Sequence, residues 1–182
     1  MLKLIQIFIF YPIIIFSQNI QKSDFDKALV KEKISIRLSM TKKFSDNNPN
    51  YHLTIYKDKK PILEDKIFSK LGEIEFQDFN GDGIKDILVQ NISDARSNWT
   101  YYLYLYDNKN KLFKKVKGFE TIKNPTFNLE NKIIESYVVS GKNYMEFYKI
   151  NNSNVENLNI SIFDDDSTNF DIEYKKVLLK IK

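Results

Sequence analysis

Residues 73–89, which read EIEFQDFNGDGIKDILV, determine the fold class of this chain. Before the glycines, apolar and polar residues alternate with a period of two, and residues 84–89 after them form a short, β-branched run. Both patterns predict β-strands. Because Asn-Gly and Asp-Gly are strong hairpin signals, the stretch predicts a strand-loop-strand unit.

The loop of this unit carries oxygen-bearing side chains at every second position, followed by one more at its end. The expected metal ligands are the side chains of Asp78, Asn80, Asp82 and Asp86 and the main-chain carbonyl of Ile84. An all-oxygen donor set suits Ca²⁺. An EF-hand would need flanking helices and a Glu at the twelfth position, where this chain has Val89. We therefore expect a short calcium loop between two strands, with a plain hairpin turn as the alternative.

The rest of the chain predicts an all-β fold of roughly 8–10 short strands, arranged as an antiparallel sandwich or barrel-like sheet. Turn residues separate the predicted strands, of which residues 99–106 are the most strand-like and residues 172–181 the last. Only residues 21–33 have a helical pattern. No interdomain linker and no repeat of the acidic loop is present, so residues 18–182 are expected to form a single domain.

The N-terminus has the anatomy of a secretory signal peptide over residues 1–17. A basic start at Lys3 precedes an apolar run of 13 residues, 4–16, and Ser17 follows as a small residue. The run is shorter than the roughly 20 residues that span a bilayer, and Pro12 interrupts it. We expect a periplasmic or secreted protein with no stable membrane anchor after cleavage, and an uncleaved anchor is the alternative.

Composition excludes several classes of function. The chain has no cysteine, which excludes a disulfide framework, a thiol nucleophile and a zinc–thiolate site. A net charge of +4 is too mild to indicate nucleic acid. The single histidine, His52, lies in a predicted strand, and the obvious carboxylates belong to the acidic loop, where a cation would keep them ionised. We expect no enzymatic activity, and we interpret residues 164–169 as a solvated loop.

The chain is rich in aromatic residues, with 14 Phe, 11 Tyr and one Trp. In residues 99–106 they alternate between the two faces of one strand. They could form a stacking platform for sugars, although burial of both faces under neighbouring strands is the favoured interpretation.

The order of elements over residues 51–158 resembles the calcium-binding, lysozyme-inhibitor-like proteins of bacterial envelopes. A hairpin comes first, then the Asp-x-Asn-x-Asp-Gly-x-x-Asp loop, then an aromatic strand ending at Asp107. Some members of that group are immunity proteins against peptidoglycan hydrolases. The resemblance implies a peptidoglycan hydrolase or lysozyme-like enzyme as the partner.

Residues 140–144 match the Ser-Gly-x-x-Tyr motif of periplasmic lysozyme inhibitors, whose loop enters the hydrolase cleft. The resemblance implies that Ser140 hydrogen-bonds the catalytic carboxylates of the enzyme and that Lys142 adds charge pairing. It further implies that Gly141 permits a tight turn and that Tyr144 braces the loop from the next strand. A simple hairpin turn remains the alternative.

Two functions follow as hypotheses. The first is a calcium-stapled inhibitor that plugs the active site of a peptidoglycan hydrolase. The second is a non-enzymatic, calcium-dependent surface module that binds glycan or a partner protein.

Overall fold

Three four-stranded antiparallel sheets form the fold, and in each of them strands pair in chain order. The computed structural model describes residues 17–18, 29, 31–41, 48–167 and 169–181. The strands are β1 (Ser17–Gln18), β2 (Ile34–Met40), β3 (Tyr51–Lys57), β4 (Lys60–Ile67), β5 (Ile74–Gln77), β6 (Asp86–Ser93), β7 (Trp99–Asp107), β8 (Leu112–Lys115), β9 (Pro125–Asn128), β10 (Ile133–Val138), β11 (Asn143–Asn151) and β12 (Asn154–Asp164). We call β1–β4 the first sheet, β5–β8 the middle sheet and β9–β12 the third sheet.

The all-β antiparallel fold class predicted from the sequence is confirmed. The sheets pack on one another as in a sandwich, and the described strands form no closed barrel. Among the described residues, no helix has the length and apolar character needed to cross a bilayer. The predicted signal peptide lies outside the described residues except for Ser17, which pairs with Ser39 of β2, so it stays a prediction.

The middle sheet is buried on both faces, and this explains the continuous apolar run in β6. Ile87 and Val89 belong to the core shared with the first sheet. Leu88 and Leu103 belong to a second core, which is shared with the third sheet. Strand residues alternate between faces, so a segment covered on both sides needs apolar residues at successive positions.

The chain ends in a helix, Phe170–Ile181, where a strand over residues 172–181 was predicted. That prediction was wrong. Phe170, Tyr174 and Val177 recur at helical spacing and pack, with neighbouring apolar residues, on the outer face of the third sheet. The Asn169 side chain accepts a hydrogen bond of 3.2 Å from the Ile172 amide, which caps the first turn of the helix.

Candidate functional site

Asp86 joins the predicted metal loop to the core of the middle sheet. Its side chain is fully buried at the start of β6. One carboxylate oxygen accepts a 2.8 Å hydrogen bond from the Phe79 amide, and the other accepts a 2.8 Å bond from the Tyr106 amide. The pKa of Asp86 is raised to about 7, chiefly by burial; the amide bonds from Phe79 and Tyr106 oppose this rise, and the charges of Asp82 and Asp78 contribute to it.

The other acidic side chains fold back over the main chain of the loop. Asp78 accepts hydrogen bonds of 2.7 Å from the Gly81 amide and 2.9 Å from the Gly83 amide. Asp82 accepts a 2.8 Å bond from the Ile84 amide. Gly81 and Gly83 have φ angles of +73° and +82°, in the region that favours glycine.

A further bond within the loop involves the last predicted side-chain ligand, Asn80. The Asn80 side-chain oxygen accepts a 2.9 Å bond from the Asp82 amide. The structure therefore brings all the predicted side-chain ligands into one compact loop, in which Asp82 is exposed, Asp78 is half-buried and Asp86 is buried.

The loop offers oxygen ligands, which are the kind that a hard divalent cation prefers. In this structure, however, the carboxylates accept hydrogen bonds from main-chain amides. No group of three or more His, Cys, Asp or Glu side chains in the described residues is arranged to hold a metal ion. Within the same residues, no lysine or arginine forms an ion pair with Asp78, Asp82 or Asp86.

The Ser-Gly-x-x-Tyr segment forms the turn between β10 and β11. The Ser140 amide donates a 3.0 Å bond to the Asn143 side chain, and the Ser140 hydroxyl donates to the Lys142 carbonyl. The Tyr144 ring lies 6.2 Å from the Phe163 ring on the neighbouring strand, an arrangement that braces the base of the turn. We call residues 140–142 the β10–β11 turn.

The resemblance assigned Gly141 a role in the backbone of the turn. Its φ angle lies outside the left-handed region, so the turn does not depend on glycine for its backbone conformation. A Cβ atom at this position would have as its nearest neighbour Nη1 of Arg96, at 4.0 Å. The backbone angle therefore gives no support to the expectation that Gly141 permits a tight turn, which stays a prediction; glycine leaves open space beside an arginine.

A second loop, residues 94–98 between β6 and β7, lies against the β10–β11 turn. Asn98 is only 2% exposed and exchanges two 2.9 Å hydrogen bonds with the main chain of Val139. Asn124 donates a 3.0 Å bond to the Asn98 side chain and a 2.9 Å bond to the Tyr137 carbonyl. Sequence reasoning missed this network because its members are far apart in the chain and carry no local motif.

Asp94 fixes the backbone of this second loop. Its carboxylate accepts bonds from the side chain and amide of Asn98, and Lys123 lies 3.0 Å away. These contacts hold the pKa of Asp94 well below its usual range. The hydrogen bond from the Asn98 side chain contributes most, followed by the bond from the Asn98 amide and then by the bond from the Lys123 ammonium.

The metal loop and the β10–β11 turn lie toward opposite ends of the middle sheet. Asp86 begins β6, and Ser93 ends it just before the loop that contacts the turn. A strand of eight residues spans roughly 23 Å at about 3.3 Å per residue. An ion in the metal loop would therefore not touch the turn.

The tyrosine-rich strand β7 is not an open platform. Tyr104 and Tyr106 are buried in the core beneath the first sheet. The Tyr104 hydroxyl donates a 2.7 Å bond to Asp65, which also pairs with Lys115 at 2.6 Å. The favoured interpretation, burial of the strand under its neighbours, is confirmed for these residues.

Comparisons with known proteins give little beyond the geometry. No protein family model matches the chain, and no curated protein matches it. A solved structure described as a Xanthomonas Type IV Secretion System related protein is similar at 17% sequence identity and a TM-score of 0.46, over 69% of this chain and 75% of that chain. A likeness this distant carries no functional argument, so the candidate sites rest on their own residues.

Proposed function

We propose that the protein is a periplasmic or secreted inhibitor of a peptidoglycan hydrolase, which blocks the active-site cleft with the β10–β11 turn and performs no chemistry of its own. One observation carries the proposal: the residues of the Ser-Gly-x-x-Tyr motif form an exposed turn that is fixed on both sides. Asn143 holds Ser140 from within the hairpin, and Asn98 holds Val139 from the neighbouring loop.

A fixed turn suits this role for an energetic reason. Ordering a flexible loop on binding costs about 0.5–1.5 kcal/mol for each immobilised side chain, and a turn already held by hydrogen bonds avoids part of that cost. Within the described residues, the Ser140 hydroxyl donates to the Lys142 carbonyl and to no carboxylate, so it could redirect its proton to a carboxylate of the enzyme.

Calcium is the second part of the proposal. Asp78, Asn80, Asp82, Asp86 and the Ile84 carbonyl would hold Ca²⁺, which would neutralise the clustered carboxylates and stabilise the loop between β5 and β6. Sites in extracellular modules have dissociation constants of about 0.1–1 mM. An ion bound only by the folded state stabilises that state, by about 2.7 kcal/mol at a hundredfold excess over the dissociation constant.

An inhibition assay tests the proposal. The mature protein is mixed with c-type, i-type and g-type lysozymes and with a secreted peptidoglycan hydrolase, and cell-wall turnover is followed. We expect stoichiometric inhibition of at least one enzyme, weakened about tenfold or more by Ser140→Ala, because a hydrogen bond to a charged group contributes about 1.5–3 kcal/mol. Ser35→Ala, at an exposed position of the first sheet, is the matched control.

Two results would contradict the proposal. The first is the absence of inhibition of every enzyme by the wild-type protein. The second is equal inhibition by the wild type and Ser140→Ala. The alternative, a calcium-dependent surface module that binds glycan or a partner protein, has less support from the tyrosine-rich strand, because Tyr104 is buried and bonded to Asp65.

A further inference from the structure

We infer that Arg96 is a second contact of the inhibitory surface and pairs with a carboxylate in the cleft of a glycosidic-bond-cleaving hydrolase. This inference rests on the proposed function and extends it in one way: it adds a residue from a different loop to the proposed contact with the catalytic carboxylates of the enzyme.

Arg96 lies beside the β10–β11 turn although it is 44 positions earlier than Ser140 in the chain. Its Nη1 atom is 4.0 Å from the place that a Cβ atom on Gly141 would occupy. Because Gly141 follows Ser140 directly, with Cα atoms about 3.8 Å apart, the guanidinium lies beside the turn that carries Ser140. A larger residue at position 141 would fill the space beside the guanidinium.

The backbone that carries Arg96 is fixed relative to the turn. The Arg96 amide donates a 2.9 Å bond to Asp94, whose carboxylate also binds Asn98. Asn98 in turn exchanges its two hydrogen bonds with Val139, immediately before Ser140. The main chains on which the serine and the arginine stand therefore keep a fixed relation before any partner binds, and less entropy is lost on binding.

Arg96 is also a cation that forms no ion pair among the residues that the structure describes. Lys123 pairs with Asp94 at 3.0 Å, and Lys142 lies 3.9 Å from Asp165. In the described part of the chain, no carboxylate lies within ion-pair distance of the exposed Arg96 guanidinium. The resemblance implied that Lys142 forms the ion pair with the enzyme. Because Lys142 already lies near Asp165, we assign this ion pair chiefly to Arg96.

The chemistry of this patch complements one class of active site. Glycosidases use two carboxyl groups, roughly 5–10 Å apart, on either side of the scissile bond. A guanidinium binds a carboxylate through two parallel hydrogen bonds and is weakly hydrated, so it loses little on entering a cleft. The Ser140 hydroxyl and the Arg96 guanidinium can each meet one carboxylate. An amidase or a peptidase without such a pair would not offer this match.

The test measures inhibition constants of the wild type, Arg96→Ala, Arg96→Lys, Ser140→Ala and Arg37→Ala against the lysozymes and against a peptidoglycan amidase, which lacks the carboxylate pair, at low and high salt. Arg37 is the only other arginine in the chain; it is exposed on the first sheet over the Tyr56 ring, which makes Arg37→Ala the matched control. We expect Arg96→Ala to weaken inhibition at least about tenfold and to flatten its salt dependence, with Arg96→Lys intermediate and Arg37→Ala unchanged.

The outcomes separate this inference from the proposed function. If Ser140→Ala is impaired while Arg96→Ala inhibits as the wild type does, the role of Arg96 is overturned and the proposed function stands. If the wild type inhibits only hydrolases that lack a carboxylate pair, the assigned class is overturned. If the wild type inhibits nothing, both fall. Melting curves of Arg96→Ala and the wild type should coincide, since the side chain makes no ion pair within the described residues.

Discussion

Each candidate site contains a glycine, and the absence of a side chain has a different physical consequence at the two positions. Gly83 has a φ angle of +82°, and no atom lies within 4 Å of the place that a Cβ would take. Its requirement for glycine is therefore one of backbone conformation alone. Gly141 has no such requirement, and what its missing side chain provides is open space beside Arg96.

These reasons predict opposite behaviour on substitution. We expect Gly83→Ala to lower the free energy of unfolding by about 1–2 kcal/mol, the cost of a left-handed conformation for a residue with a Cβ. Gly141→Ala should leave the melting temperature unchanged but weaken inhibition, because its methyl group would stand between the turn and the cleft. Thermal unfolding and inhibition assays on both variants check this. A Gly141→Ala protein as unstable as Gly83→Ala would refute the assignment.

Asp94 is the residue whose ionisation links the second loop to stability. Hydrogen bonds from Asn98 and then Lys123 hold its pKa below the usual value, so the folded state favours the carboxylate. An unfolded Asp has a pKa of about 3.9. The stabilisation is therefore present in full above about pH 5 and is lost as the pH falls toward the lowered pKa.

We predict that the difference in melting temperature between the wild type and Asp94→Asn is largest near pH 7 and shrinks steadily below pH 4. At low pH, protonation of Asp94 removes its negative charge from the wild type. Asp94→Asn lacks this charge at every pH, so the two proteins become more alike. Melting temperatures of both proteins, measured from pH 7 down to pH 2, check this. Asp166→Asn, at an exposed position, controls for the loss of one negative charge. A difference that stays constant with pH would contradict the role of Asp94.

At the scale of elements, local pattern predicted most of the strands. The sequence pattern predicts strands over residues 34–40 and 51–57, which are the bounds of β2 and β3, and a hairpin from residues 51–57 to 61–69, which forms with Asp58 and Lys59 at positive φ. Alternation with a period of two is strong in these segments, and each has one clearly apolar face.

The elements that pattern reasoning missed are those decided by tertiary contact. The segment 170–181 is short and mixed in character, and packing against the third sheet selects a helix. Strand β9 begins with Pro125 and pairs only at the edge of its sheet, where proline is tolerated. Its pairing with β10 could not be anticipated from its own four residues.

The residues of the candidate sites also fall into two groups, those that local sequence spacing predicts and those that only tertiary packing brings together. The metal ligands were predicted because their spacing is local, within nine residues of chain. Arg96 and Asn98 were not predicted, because they meet the β10–β11 turn only through the packing of the middle and third sheets. A sequence without an alignment offers no signal that pairs these two loops.

At the scale of the whole molecule, the scaffold places the two candidate sites far apart. The predicted metal loop closes one end of the middle sheet, and the proposed inhibitory surface lies at the other. The core between them is close-packed and contains residues of all three sheets. An ion at one end should therefore affect how long the protein stays folded and not the shape of the turn at the other end.

This separation makes a prediction about calcium removal. Chelator should lower the melting temperature, yet inhibition measured well below that temperature should keep the same inhibition constant with and without calcium. Inhibition assays at 25 °C, with circular dichroism to confirm that the protein is folded, check this. An inhibition constant that rises on chelation while the fold is intact would show that the ion shapes the turn.

The central claim is that the loop of residues 78–86 binds one divalent calcium ion that staples the fold. Calorimetric titration of the mature protein with Ca²⁺ tests it most directly, with Asp82→Ala as the comparison. The account predicts heat of binding to a single site, absent in Asp82→Ala, and a wild-type melting temperature that falls in chelator to that of the variant. No heat of binding, together with melting curves that coincide with and without chelator, would contradict it.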